Sequence, residues 1–164
     1  MTLIDKAGLP AEDHWAYWQQ GQAPGDPMRS VVRLAEWDAY IKASGASASG
    51  VWMTGSEDTA SIVQMLDKLS LIVIEFPKSR DGRGFTLARM LRERYRFAGD
   101  LRAAGPLLPD QFPILLQCGF TSLLAPPSVP LLRWRDAANF LEQTRSRPRT
   151  LLDRLSQESQ ESQV

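Results

Sequence analysis

A short glycine-containing loop, Asp81-Gly82-Arg83, precedes a predicted helix and is called the DGR loop below. Glycine permits a tight turn, the backbone amides at a helix start can receive an anion, and arginine offers a planar fork of donors. This combination suits a phosphate, another oxyanion or a carboxylate of a partner protein. In the structural alternative, Asp81 caps the helix and Arg83 pairs with Asp81. The loop lacks the full glycine spacing of dinucleotide-binding and P-loop motifs, so it predicts no nucleotide-binding fold.

The helix that follows the DGR loop is rich in arginine. At about 100° per residue, Arg89, Arg92 and Arg96 fall near one helix face. Such a face binds an acidic partner or an anion, or it is simply solvated. Residues 78–102 hold eight basic and three acidic side chains, although the net charge of the whole chain is zero. The overall neutrality argues against non-specific nucleic-acid binding.

Arg102 lies inside a predicted buried strand, where an unpaired guanidinium would be costly. Strand alternation would let Glu75 on the adjacent strand meet it, and a structural ion pair is one interpretation. The functional interpretation directs Arg102 into the site near the DGR loop. Asp110 and Gln111 begin the next predicted helix after Pro109, where they either reach the same crevice or cap the helix. The predicted binding residues are therefore Asp81, Gly82, Arg83, Arg89, Arg92, Arg102, Asp110 and Gln111.

The chain has one cysteine, Cys118, and one histidine, His14. These counts exclude an internal disulfide, an all-cysteine zinc or iron-sulfur site and the common multi-histidine metal sites within one chain, so no metal site is predicted. A Ser-His-Asp or Cys-His mechanism would depend on a histidine in the N-terminal segment, which disfavours hydrolase chemistry. Cys118 is predicted to be buried near a helix end, where the helix dipole does not activate a thiol.

Apolar runs alternate with amphipathic segments from Gly50 onward, which predicts an α/β domain. Strands begin near residues 51, 71, 100 and 121, at the spacing of β-loop-α-loop units. Such crossovers imply parallel pairing with right-handed connections. We therefore predict a mostly parallel sheet of about four to five strands, either as a three-layer sheet or as a partial β/α barrel. The DGR loop then lies at the carboxyl end of the strongest strand, where ligands bind in such sheets.

Three regions are predicted along the chain. Residues 1–49 form an N-terminal arm with an outer strand, residues 50–145 form the α/β core, and residues 146–164 form a polar, partly disordered tail.

No stretch is long and apolar enough for a membrane span, and the first residues lack the features of a signal peptide, so a cytoplasmic protein is predicted. The incomplete number of β/α units leaves a homo-oligomer open. The predicted strands are 28–34, 51–54, 71–77, 100–104 and 120–125, and the predicted helices are 56–68, 84–95, 109–117 and 136–143.

The segment Phe76 to Phe120 reads FPKSRDGRGFTLARMLRERYRFAGDLRAAGPLLPDQFPILLQCGF. It resembles the central signature of the bacterial domain-of-unknown-function family nine hundred thirty-four, approximately FP-x-F-x-DGR-G-[FY]-[ST]-x-AR-x-LR, followed by G-x-LRA-x-G, a DQ pair and a CGF ending. All eight predicted binding residues fall on motif positions. The chain departs from the pattern at Ser79, where an aromatic residue is common, and at Gln117, where the family usually has arginine.

Members of this family are often encoded beside the haemoprotein of assimilatory sulfite reductase. The resemblance therefore implies an accessory or electron-transfer-associated protein that docks to that haemoprotein, with the arginines on an acidic surface. The alternative is a small enzyme or a sensor that binds a phosphate or sulfur oxyanion at the DGR loop, with Asp81 or Asp110 handling a proton. Whether the protein is an enzyme is left open. No ligand set for haem or an iron-sulfur cluster and no complete flavin or nicotinamide fingerprint is evident, so the cofactor is unknown.

Overall fold

The computed structural model describes residues 1–146, so the predicted tail lies outside the described residues apart from Ser146. The described strands are β1 (Thr2–Ile4), β2 (Pro10–Ala11), β3 (Ala16–Tyr17), β4 (Ser30–Arg33), β5 (Gly50–Thr54), β6 (Leu71–Glu75), β7 (Asp100–Ala104) and β8 (Ser122–Ala125). The helices are α1 (Trp37–Ser44), α2 (Thr59–Val63), α3 (Arg83–Glu93), α4 (Phe112–Gln117) and α5 (Leu131–Ser146).

The eight strands form one sheet in the order β2-β1-β8-β7-β6-β5-β4-β3. Strands β3 to β8 pair in parallel, whereas β1 is antiparallel to β8 and β2 is antiparallel to β1. The predicted α/β class and mostly parallel sheet are confirmed. The predicted four to five strands are an undercount, because β1, β2 and β3 have only two or three residues each. Such short strands carry no readable two-residue period.

The sheet is curled, and the short connection between its two edge strands demonstrates the curl. A flat sheet of eight strands would separate the edges by roughly 34 Å at the usual spacing between strands. The edge strands β2 and β3 are nevertheless joined by residues 12–15 alone. The chain from Ala11 to Ala16 can span about 18 Å at most, so the edges must approach each other.

The helices pack on one face of the curled sheet. The larger apolar cluster joins strand residues such as Ile72 and Ile74 to helix residues such as Leu87, Leu115 and Trp134. A smaller cluster on the other face contains strand residues and parts of the arm, and none of its described members lies on a helix: Leu3, Val31, Leu71, Val73, Ala104 and Leu124, with Trp15, Tyr17 and Trp52 packed against them. The architecture is therefore a curled, mostly parallel sheet with its helices on one face.

Several helices differ from their predicted bounds. The predicted helix 56–68 is interrupted, because α2 ends at Val63 and a single 3-10 turn follows at Leu66–Lys68. The N-cap of α2 is Asp58, and the Asp58 carboxylate accepts a 3.0 Å hydrogen bond from the amide of Ala60. Helix α1 lies within residues 1–49, where the sequence predicted an outer strand but no helix. No helix within residues 1–146 has the length and apolar character required to cross a membrane.

Candidate functional site

The DGR loop is closed by an ion pair between its own residues. The Asp81 carboxylate accepts hydrogen bonds from Arg83 at three donors: the backbone amide at 3.2 Å, Nε at 2.9 Å and Nη2 at 2.6 Å. Gly82 occupies the N-cap position of α3, and Asp81 before it accepts the first backbone amide of the helix while pairing with the Arg83 side chain. This is the structural alternative that the sequence left open.

The pairing fixes the charge of the loop. Hydrogen bonds from Arg83 lower the pKa of Asp81 to about 2, and the same contacts raise the pKa of Arg83. A carboxylate thus already occupies the anion-attracting start of α3. The Arg83 side chain stays 60% exposed, so its outer side can still meet a partner protein. Gly82 has an ordinary φ of −70°, and a side-chain carbon added there would meet no atom within 4 Å.

Two glycines, which lack a side chain, allow neighbouring segments to approach the start of α3 closely. A side chain at Gly55, in the β5–α2 loop, would approach the amide nitrogen of Gly84 to 2.6 Å. Gly84 itself is buried against the ring of Phe76, which a side chain would approach to 2.6 Å. The first turn of α3 therefore has little free space on its inner side.

Gln111 ties the next loop to the DGR region. Its Nε2 donates a 2.5 Å hydrogen bond to the carbonyl of Ser79, and its Oε1 accepts from the amide of Leu108 at 3.0 Å. The loop between β7 and α4 also contacts the end of β6 at Gly105, where a side chain would collide with the carbonyl oxygen of Phe76. The structure thus places Gln111 beside the loop that leads into the DGR segment, whereas Asp110 is exposed.

Arg89 lies on the outer surface of α3, and its side chain is 56% exposed. Its Nη2 is 3.8 Å from the buried Cys118 thiol, and its Nε is 3.9 Å from the Glu93 carboxylate. These residues border a depression of about 440 Å³ between α3 and α4, which also exposes part of Ile114. Arg89 is therefore available to a molecule that approaches α3 from solvent.

Arg92 turns away from that surface and binds backbone carbonyls. Its Nε donates to Gly119 at 2.9 Å, and its Nη1 donates to Phe97 at 2.5 Å and to Gly99 at 2.8 Å. The guanidinium also lies 5.6 Å from the centre of the Phe97 ring. These carbonyls precede β7 and β8, so Arg92 acts at the amino ends of those strands.

Arg102 is 3% exposed and lies on the helix-free face of the sheet. Its predicted pairing with Glu75 is wrong. In the β6–β7 register Arg102 lies opposite Val73, and Glu75 lies further along, opposite Ala104. Glu75 instead accepts hydrogen bonds from Arg33 at 3.0 Å and from the Trp52 indole at 2.6 Å.

The partners of Arg102 come mostly from residues that the sequence did not single out. The guanidinium donates to Asp13 at 2.9 Å, to the Tyr17 hydroxyl at 2.6 Å, to Asp100 at 3.0 Å and to Ser122 at 3.2 Å. Burial raises the pKa of the Tyr17 phenol well above its usual range, and its hydrogen bond to Asp13 adds to that shift while the Arg102 charge opposes it. The only feature of the sequence that pointed to this contact was an acidic residue, Asp13, among the aromatic residues of the arm. No local pattern in the sequence indicated that Asp13 would lie beside β7.

The predicted binding residues therefore do not converge on one crevice. The DGR loop, Gln111 and Asp110 lie at the carboxyl ends of the strands, and Arg89 lies on the outer face of α3. Arg92 lies toward the amino ends, and Arg102 is inside the curl of the sheet.

No curated protein matches the chain. A family model described as a bacterial protein of unknown function (DUF934) matches residues 50–147, which is more than half of the chain. The match begins at β5 and includes the DGR loop, α3 and Arg102, whereas the arm that holds Asp13 and Tyr17 precedes it. The chain belongs to this family of bacterial proteins of unknown function (DUF934).

Proposed function

We propose that this protein is an accessory docking protein of assimilatory sulfite reduction, and that the outer face of α3 contacts the sulfite reductase haemoprotein. The observation that supports docking is the exposure of two arginine side chains, Arg83 and Arg89, on that face. The choice of partner rests on the family resemblance. Arg92 and Arg102 have no part in the proposed contact, because Arg92 turns toward the amino ends of β7 and β8 and Arg102 is buried.

The docking surface has charged groups beside apolar ones. Arg83 and Met90 border a depression of about 530 Å³ on the α2 side, and Arg89 and Met90 border the depression of about 440 Å³ on the α4 side. Arginine next to apolar side chains is enriched where proteins bind one another. The two depressions offer room for apolar side chains of a partner, while the arginines meet its carboxylates.

Further positive charge surrounds α3. Lys78 and Arg80 are exposed in the loop before the helix, and Arg94 and Arg96 are exposed after it. A basic region of this kind attracts an acidic partner over a distance and accelerates association at low ionic strength. The proposed partner surface is therefore acidic, and binding is expected to weaken as salt rises.

The small-anion alternative at the DGR loop has less support. A phosphate or sulfur oxyanion at the start of α3 would meet the ionised Asp81 carboxylate, which already takes three donors of Arg83. A carboxylate of a partner protein can instead approach Arg83 from the exposed side of its guanidinium.

The direct test is the affinity of the purified protein for the sulfite reductase haemoprotein, measured by titration calorimetry. Charge reversal at both positions, Arg83→Glu with Arg89→Glu, is expected to weaken binding by at least about tenfold, because two charge pairs become repulsive. The matched control reverses two exposed arginines on α5, Arg133→Glu with Arg135→Glu, and is expected to bind nearly normally. Equal losses in the two double variants would contradict docking through α3.

A genetic test addresses the pathway rather than the surface. A strain lacking the gene is expected to grow with sulfide but not with sulfate or sulfite as sole sulfur source. The wild-type gene should restore growth, and the Arg83→Glu and Arg89→Glu double variant should not. Normal growth of the deletion strain on all three sources would refute the sulfur assignment.

A further inference from the structure

A cavity of about 630 Å³ opens at the amino ends of β7 and β8, away from the DGR loop. Its lining includes two cationic side chains, and its larger apolar residues lie on α4 and just before β8. The lining residues that matter here are Lys6, Arg92, Thr121 and Asn139 on the polar side, with Leu116 and Phe120 on the apolar side. A volume of this size is ordinary for sites that hold small molecules, roughly 300–1,000 Å³.

Arg92 brings an uncompensated positive charge to this cavity. A guanidinium has five N–H donors, and the three on Nε and Nη1 are used by the carbonyls of Phe97, Gly99 and Gly119. Among the side chains that the structure describes, Nη2 has no hydrogen-bond acceptor and no carboxylate lies within 4.0 Å of the guanidinium. Burial lowers the pKa of Arg92, and the Asp100 charge offsets only part of that effect.

The carboxylate of Asp100, whose charge acts on Arg92, is already engaged in other hydrogen bonds. Asp100 accepts hydrogen bonds from Arg102, Ser122 and Thr121. Its hydrogen bonds therefore come from Arg102 and not from Arg92. An anion that enters the cavity would supply the counter-charge that Arg92 lacks.

Local structure fixes the Arg92 side chain and the backbone turn that carries Lys6. Gly119 has a φ of +95°, and a side chain there would approach Cγ of Arg92 to 2.5 Å, so the arginine lies directly over this turn. Lys6 lies in a turn in which the Asp5 carboxylate accepts hydrogen bonds from Ala7 and Leu9, both at 2.9 Å. Gly8 in the same turn packs against the backbone of α5 with a φ of +74°. The turn that carries Lys6 lies between β1 and β2, and Arg92 lies on α3. Both residues therefore line one cavity although they are far apart in the chain.

We propose that this cavity binds a small organic anion, with a phosphate or carboxylate group at Arg92 and Lys6 and an apolar part against Leu116 and Phe120. The cavity is larger than an inorganic oxyanion requires, and two of the six lining residues named above, Leu116 and Phe120, are apolar. The site is separate from the docking face of α3, and its failure would leave the proposed docking function untouched.

The experiment uses the ¹⁵N-labelled full chain and follows amide signals while a probe is added at constant ionic strength. The probes are phenyl phosphate, inorganic phosphate and uncharged phenol. Phenyl phosphate is expected to shift the signals of Gly119, Thr121 and the Asn139 side chain saturably, and inorganic phosphate is expected to shift the same signals with weaker affinity. Equal affinity for the two phosphates would overturn the assignment of an organic anion, because the apolar part of the ligand would then contribute nothing to binding. Phenol binding as tightly as phenyl phosphate would overturn the proposal.

Variants of an exposed lysine avoid the risk that a change at Arg92 unfolds the protein. Lys6→Glu is expected to weaken phenyl phosphate binding by about fivefold, from the loss of one exposed ionic contact of about 1 kcal/mol. Lys42→Glu on α1 carries the same charge change away from the cavity and should leave the affinity unchanged. The proposal is overturned if neither phosphate gives saturable shifts, or if Lys42→Glu weakens binding as much as Lys6→Glu does.

Discussion

The guanidinium of Arg102 on β7 lies 2.9 Å from the carboxylate of Asp13, which belongs to the segment between the two edge strands. The two residues are 89 positions apart in the chain. Asp100 and the Tyr17 hydroxyl complete the surroundings of the same guanidinium. The N-terminal arm is therefore joined to the middle of the parallel sheet by charge as well as by its apolar residues.

Replacing this arginine by an apolar side chain of similar length should destabilise the protein strongly. Arg102→Met is expected to lower the free energy of unfolding by about 3 kcal/mol or more, because Asp13, Asp100 and the Tyr17 hydroxyl all lose a donor in a largely buried setting. Urea denaturation followed by tryptophan fluorescence measures the change.

The control for Arg102→Met is Arg33→Met, which breaks a half-exposed pair with Glu75 on the same face of the sheet. The expected loss is about 1 kcal/mol or less, as for other exposed ion pairs. Similar losses for the two variants would show that the buried network does not hold the arm.

The pairing within the DGR loop predicts a specific titration. Asp81 should titrate near pH 2 in the wild-type protein, and Arg83→Gln should move the midpoint up toward the usual value of 3.8. The sign follows from the lowered pKa: the stabilisation from this carboxylate is present above pH 3.8 and is lost as pH falls through about 2. Carboxyl ¹³C signals measure the midpoint, and Arg89→Gln should leave it unchanged.

Two glycines near the candidate site should respond very differently to alanine. Gly105 has a φ of +118° and faces the carbonyl of Phe76, so Gly105→Ala is expected to lower the free energy of unfolding by about 3 kcal/mol. Gly82 has an ordinary φ and open space around it, so Gly82→Ala should change the stability by about 0.5 kcal/mol or less. Thermal unfolding of the pair tests this, and a large loss at Gly82 would contradict it.

The central strands were predictable because a strand that is buried on both faces consists of consecutive apolar residues. Strand β6, at Leu71–Glu75, begins at the predicted residue, and β7 has the predicted bounds. The short strands β1 and β2 could not be found in this way, because their place is set by the edge of β8 rather than by their own pattern.

Helical spacing alone did not predict which arginine side chains of α3 face solvent. Arg89 and Arg92 are three residues apart and were placed near one face of α3, but only Arg89 remains on the outer surface. The chain after α3 passes through Arg96 with a φ of +56°. The chain then turns back, so that the carbonyls of Phe97 and Gly99 accept hydrogen bonds from Arg92. A contact made by such a reversal depends on backbone geometry that residue types alone do not specify.

The order of the strands also bears on how the chain folds. From β4 to β8 every strand pairs with the next one along the chain, so each β/α unit can add to its predecessor after closing only a short loop. The contact between Asp13 and Arg102 requires closure of a far longer loop, across units that must already be in register. The arm is thus suited to dock late, and the interactions that it makes would govern the rate of unfolding more than the rate of folding.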